Sequence, residues 1–227
     1  MAAYFTPDLF SFLEDLAAHN DREWFNDNKS RYQESVQEPA LRFIADCAPG
    51  LAKISSHFVA DPRSQGGSLF RIYRDTRFSR DKTPYKTYTG IQLRHETAGD
   101  AHAPGYYLHL QPGGCFMGAG VWHPETAVAR NIRSAIAADP TGWKRATQTA
   151  AFRKTFQLEG HSLARVPAGL DPQHQFAEDL RRKDFMAVAR LDDDEVTSMT
   201  FLKDFTATLR GASPFMVFLC AATGAAF

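Results

Sequence analysis

Apolar residues recur at helical spacing at the start of the chain and switch to strict alternation near its middle. Thr6-Pro7 reads as an N-cap with proline in the first turn, and Leu9, Phe10, Leu13, Leu16 and Ala17 then share one face of an amphipathic helix. Asn20 and Glu23 have capping-box spacing, and Trp24, Phe25, Asn28, Tyr32 and Val36 continue one face of a second helix. Pro39 predicts the break to a third helix, which runs through Leu41, Ile44 and Leu51 and ends near Pro49-Gly50. Residues 61–68 are Pro, Gly, Ser and polar, as in a loop, and after them the period falls from 3.6 to 2. Ile91 to Arg94 and Tyr106 to Gln111 alternate like strands with one face on a core, and Pro112-Gly113-Gly114 turns the second of these into residues 115–122, an antiparallel hairpin.

The helical period returns at residues 125–138, where Val128, Ile132 and Ile136 lie four apart and Asp139-Pro140 closes the helix. Shorter helices follow through Trp143 and Phe152. Residues 185–191 read as a further strand, Asp192 to Glu195 place acidic groups at a helix start, and Ser213-Pro214 caps a terminal apolar helix. The expected fold is α+β: a mainly antiparallel sheet with helices flanking it, N-terminal helices before the sheet and helices at the C-terminus, with residues 1–227 as one domain.

Composition narrows the class. At 227 residues, with 44% hydrophobic and 23% charged residues, the chain can bury a core and fold on its own. Eighteen Phe point to an aromatic core. Lys and Arg total 26 against 26 Asp and Glu, so no global field draws the chain to nucleic acid or an anionic membrane, and charge-based recognition must be local. The first residues lack a secretory signal, and the longest apolar run, residues 215–222, falls far short of the roughly 20 residues of a membrane span. Cys47, Cys115 and Cys220 are widely spaced, which suits neither a disulfide framework nor a zinc ribbon; reduced thiols in a cytoplasmic protein are expected.

The local anomaly lies in residues 71–86. Arg71, Arg74, Arg77, Arg80, Lys82 and Lys86 face only Asp75 and Asp81, with Tyr73, Phe78 and Tyr85 interleaved. Arginine suits bidentate capture of phosphate or carboxylate and lysine supplies a point charge, so these cations could cradle a small anionic ligand while the aromatic residues anchor the loop. Pro84 favours a fixed, extended course. The expected ligand-binding set is Arg71, Tyr73, Arg74, Arg77, Lys82, Tyr85 and Lys86. Asp75, Asp81 and His109 are the candidates for moving a proton if the ligand is turned over. Two other readings stand beside this one: a nucleic-acid or acidic-protein interaction module, disfavoured by the neutral charge, and a structural salt-bridge clamp in which the acids of the loop neutralise its arginines.

The spacing R-x-x-R-D-x-R-F-x-x-D-K-x-x-Y, carried by Arg71, Arg74, Asp75, Arg77, Phe78, Asp81, Lys82 and Tyr85, resembles the signature of an uncharacterised bacterial and fungal family, a domain of unknown function. The resemblance extends along nearly the whole chain, through Trp24-Phe25, the hairpin of residues 106–122 with Gly118 and Gly120, and residues 165–171 before Lys183-Asp184-Phe185. Leu170 stands where the family carries tyrosine. The resemblance implies a site location without a reaction.

Elsewhere the bland readings prevail. Tyr107, His109 and Gln111 should share one strand face, and Trp122-His123 ends the next strand, so both groups could meet the basic segment across the sheet. The eight histidines show no metal-ligand spacing, and Gly66-Gly67-Ser68 lacks the P-loop and Rossmann patterns, so neither metal nor cofactor is expected. Arg130 and Arg133 read as solvated helix positions.

Overall fold

The computed structural model describes residues 2–97 and 103–227. The chain opens with α1 (Pro7–Ala18), α2 (Arg22–Asp27), α3 (Lys29–Tyr32), a π-helical turn (Gln33–Gln37) and α4 (Glu38–Ala52). Strands β1 (Phe58–Val59), β2 (Thr89–His95), β3 (Gly105–Leu110) and β4 (Phe116–Val121) follow. Next come α5 (Thr126–Ala138), α6 (Pro140–Thr147), α7 (Ala150–Thr155), β5 (Gln157–Glu159), α8 (Ala177–Leu180) and β6 (Phe185–Arg190). The chain closes with α9 (Asp193–Val196), α10 (Phe201–Gly211) and α11 (Ser213–Thr223). The fold is α+β, with one sheet in the order β1-β2-β3-β4-β6-β5 and every pairing antiparallel.

Alternation along the strands sends Ile91, Leu93, Tyr106, Leu108, Leu110, Met117, Ala119, Val121, Phe185, Ala187 and Ala189 into a core shared with the helices. Trp143 is fully buried there against Phe215 and Phe218, and its indole N–H donates to Asp179 at 2.8 Å. Phe43 packs on Phe5, Phe201 and Phe205, joining α4 to α10. Cys47, Cys115 and Cys220 are buried and free; burial pushes the first two thiols up to about 12 and the third up to about 11. No single helix among the described residues is long and apolar enough to cross a membrane.

Several local expectations need correcting. The capping residue of α2 is Asp21, whose side chain accepts from the Trp24 amide at 2.9 Å; Asn20 serves elsewhere. Pro39 does not break the chain into separate helices. It occupies the first turn of α4, directly after the π-helical turn, where its missing N–H leaves no ordinary helical bond to satisfy. The acidic start of α9 does form a capping box between Asp192 and Glu195. Arg133 is buried and donates to the Arg182 carbonyl at 2.7 Å, so it is not a solvated position.

Candidate anion cleft and its surroundings

The basic segment folds as an irregular loop pinched at its base. Tyr73 and Tyr85 form an isolated antiparallel bridge, the Arg74 amide donates to the Pro84 carbonyl at 2.9 Å, and the Lys86 amide donates to the Ile72 carbonyl at 2.8 Å. Asn20 docks this base on the helical layer: its side chain donates to the Tyr85 carbonyl and accepts from the Tyr85 amide, each at 3.0 Å. The buried Tyr85 ring then stacks on Phe25 of α2 with centroids 4.1 Å apart. A polar residue just before α2 and an aromatic one within it therefore decide where the loop sits.

Between α2 and the loop lies a cleft of about 310 Å3, lined by Arg22, Asn26, Tyr73, Arg74, Thr76, Pro84 and Tyr85. No carboxylate lines it. Arg22 is exposed and makes no ion pair among the described residues. Arg74 is anchored through Nη1 to both Asp81 Oδ2 and Thr83 Oγ1, while Nε and Nη2 make no further bond among the described residues.

The remaining cations do not gather around this space. Arg77 pairs with Asp75 at 2.7 Å and is exposed, Lys82 donates to the Thr76 carbonyl at 2.8 Å, and Lys86 donates to the Arg71 carbonyl at 2.9 Å. Arg71 and Arg80 are exposed and form no ion pair among the described residues. Two of the six cations are thus matched by the acids of the loop, and only Arg74 of the six lines the cleft. Phe78, at 96% exposure, sits at the loop tip with the Arg77 guanidinium 5.8 Å from its ring centre.

Asp75 and Asp81 are both held down at about 2, chiefly by hydrogen bonds from the Arg77 and Arg74 side chains respectively. They are carboxylates at neutral pH, oriented toward arginine. His109 lies on another surface of the same end of the sheet, in a stack with Tyr88 at 4.4 Å and Phe116 at 4.7 Å between ring centres. Its Nε2 lies 3.0 Å from Gln111 Oε1 and its Nδ1 lies 3.1 Å from the Tyr107 hydroxyl. The amide oxygen can only accept, so the neutral ring carries its proton on Nε2 and Nδ1 accepts from Tyr107. Lys86 reaches toward Tyr88, 5.9 Å from its ring centre, so Lys86 and His109 border a common aromatic patch. Burial lowers both side chains' proton affinity.

Burial of His109 carries a pH prediction. A group whose folded pKa is depressed contributes stability that is present above its unfolded value of about 6.5 and lost as pH falls through the folded value. His109→Gln is therefore expected to lose less stability than the unsubstituted protein between pH 7.5 and 5, read as urea midpoints. Parallel pH dependence in the two proteins would contradict it.

Trp122-His123 does not meet the basic segment. The register sets Thr89 against Leu110 at one end of the sheet and Val121 against Phe185 at the other, about 20 Å away along the strands. Among the described residues no group of three or more His, Cys, Asp or Glu is placed to hold a metal ion. Arg22 and Asn26 escaped sequence reasoning; the available signal was a polar pair four residues apart flanking the buried Phe25.

A helical layer docking an arginine-rich loop at the end of an antiparallel sheet defines the protein's class by form, and comparison of sequences places it. The chain belongs to a family described as conserved hypothetical proteins, DUF2461, whose model matches residues 8–218. A search of curated proteins finds no match.

Proposed function

We propose that this protein binds a small phosphate- or carboxylate-bearing ligand, in the cytoplasm, in the cleft between α2 and the Tyr73–Tyr85 loop. The observation that carries the reading is the cleft itself: two guanidinium groups, Arg22 and Arg74, beside hydroxyl and amide groups from Tyr73, Thr76 and Asn26, with no acid in the lining. Arg74 is preset by Asp81 and Thr83, which lowers the ordering entropy lost when it meets an anion. The volume suits a compact ligand near the lower end of the usual range. The proposal is for binding; Asp75 and Asp81 serve it as partners of arginine.

The test is thermal unfolding with inorganic phosphate, sugar phosphates, nucleotides and small carboxylates. At a free concentration of 100 times Kd a ligand stabilises by about 2.7 kcal/mol, a rise of roughly 5–10 °C for a chain of this size. Arg22→Ala is expected to abolish the rise without lowering the melting temperature of the free protein, because Arg22 is exposed and makes no ion pair among the described residues. A flat response across the panel ends the proposal. Arg74→Ala separates ligand binding from a clamp: loss of the rise at unchanged melting temperature supports binding, and unfolding supports the clamp.

A second reading rests on Phe78. A fully exposed ring flanked by Arg77, Arg80 and Lys82 suits stacking on a base of single-stranded nucleic acid or contact with an acidic protein. Retention of labelled single-stranded DNA or RNA at low salt, lost in Phe78→Ala, supports this reading, and absence of retention removes its nucleic-acid form.

A further inference from the structure

At the sheet end opposite the basic loop, strand register assembles three residues from three segments. Val121 pairs with Phe185 and Glu159 pairs with Met186, so the residues just beyond these pairs, His123, Asp184 and His161, converge. Asp184 is fully buried. Its Oδ1 accepts from the His123 amide at 2.8 Å and lies 2.7 Å from His123 Nδ1. Its Oδ2 accepts from the His161 amide at 2.9 Å and lies 3.4 Å from His161 Nδ1. Burial alone would push the carboxyl upward, but the two amides and His123 outweigh it, and the group is ionised below its ordinary range.

A carboxylate can only accept, so His123 presents Nδ1–H to it and turns Nε2 outward, while the His161 ring stands beside the same carboxylate, tied to it through the His161 backbone amide. Neither Nε2 has a hydrogen bond among the described residues, and the side chains are 49% and 78% exposed. The rings lie 6.2 Å apart between centres, and Trp122 stacks on His123 at 4.1 Å, fixing its plane. His123 also adopts φ +46°, the one left-handed non-glycine residue among those described. Strain of this kind persists where surrounding bonds over-determine it, here the two contacts to Asp184. Gly160, at φ +119°, lets the neighbouring segment approach: a Cβ there would lie 2.5 Å from Asp184 Cβ. Glu125, Glu159, Arg182 and Lys183 are the charged residues within two positions of the three along the chain; Glu159 pairs with Arg190 and Arg182 with Asp179, and none of the four side chains bonds to the three among the described residues.

One ionised carboxylate balances one added proton. Two imidazoles beside one carboxylate supply a general acid and a general base when one of them carries the added proton and the other is free. We propose that His123 and His161, anchored by Asp184, form an acid–base pair that hydrolyses phosphodiesters. The free imidazole takes a proton from water through Nε2 as the water oxygen bonds to phosphorus. The imidazolium gives its Nε2 proton to the leaving oxygen as the other P–O bond breaks. One water is consumed, and solvent exchange restores the starting protonation. A phosphodiester fits better than a carboxylic ester because entering and leaving oxygens lie on opposite sides of phosphorus, where two separate proton groups are needed. Its anionic oxygens also face the imidazolium.

The experiment uses the full chain with cytidine 2′,3′-cyclic phosphate and bis(4-nitrophenyl) phosphate. The expected result is hydrolysis with a bell-shaped pH profile in kcat/KM, reduced at least about 100-fold in His161→Gln and in His123→Asn. Asparagine tolerates the left-handed backbone at position 123, and His161 is exposed, so unfolding does not explain these losses. Asp184 is a positioning residue, and Asp184→Asn is expected to displace the pH profile as well as lower the rate. Failure to hydrolyse either substrate, or activity in His161→Gln equal to that of the unsubstituted protein, overturns the proposal.

Discussion

Gly120→Ala is expected to be the most disruptive single-methyl change in the sheet. Gly120 pairs with Met186 across β4 and β6 at φ +139°, and a Cβ built on it would lie 2.0 Å from the Phe185 carbonyl oxygen. The obstacle is backbone, so no side-chain rotation relieves it. The unfavourable dihedral contributes about 1–3 kcal/mol and the overpacking a similar amount, for a total loss of roughly 2–6 kcal/mol. The displaced residue is next to Asp184, so the His123 amide bond should loosen with it. Gly114→Ala is the control: its nearest neighbour would be Gln111 at 3.8 Å, and its stability should stay within about 0.5 kcal/mol of the starting protein. Urea unfolding of the two variants decides the matter, and equal midpoints would mean that β4 and β6 can separate at this point without penalty.

The same residue shows what the chain discloses on reading and what it withholds. Periodicity exposed α1, the β3–β4 hairpin, β6 and the C-terminal helix because each repeats its signal over several residues. Strands β1 and β5, of two and three residues, are too short to alternate and exist through their partners. The charge excess of residues 71–86 was visible in composition, yet the direction of each side chain was not, because an irregular loop has no period to project from. Its geometry is set by Asn20 and Phe25, some sixty residues earlier. Asn20 resembled a helix cap because capping and loop docking draw on the same amide; only the neighbour Asp21 distinguishes them. The Asp184 cluster left still less trace. Its members are 61 and 23 residues from the carboxylate, and the register of three strands brings them together.

Phe25→Ala tests whether the helical layer sets the cleft. Phe25 is 2% exposed and contacts Tyr85 at 4.1 Å, Tyr32 at 5.4 Å and Tyr73 at 6.3 Å between ring centres. Truncation leaves a cavity beneath the loop and is expected to lose about 3–5 kcal/mol. Phe43→Ala should lose a similar amount from the core around Phe5, Phe201 and Phe205, which is remote from the cleft lining. The two variants therefore match in stability and differ in place. If Tyr85 is seated by Phe25, trypsin should cut at Arg77 and Arg80 faster in Phe25→Ala than in Phe43→Ala, under conditions where both remain mostly folded. Any phosphate-induced rise in melting temperature should disappear only in the first. Equal cleavage rates would show that Asn20 alone, through its paired bonds to Tyr85, suffices to hold the loop, and would move the origin of the cleft from ring packing to those two hydrogen bonds.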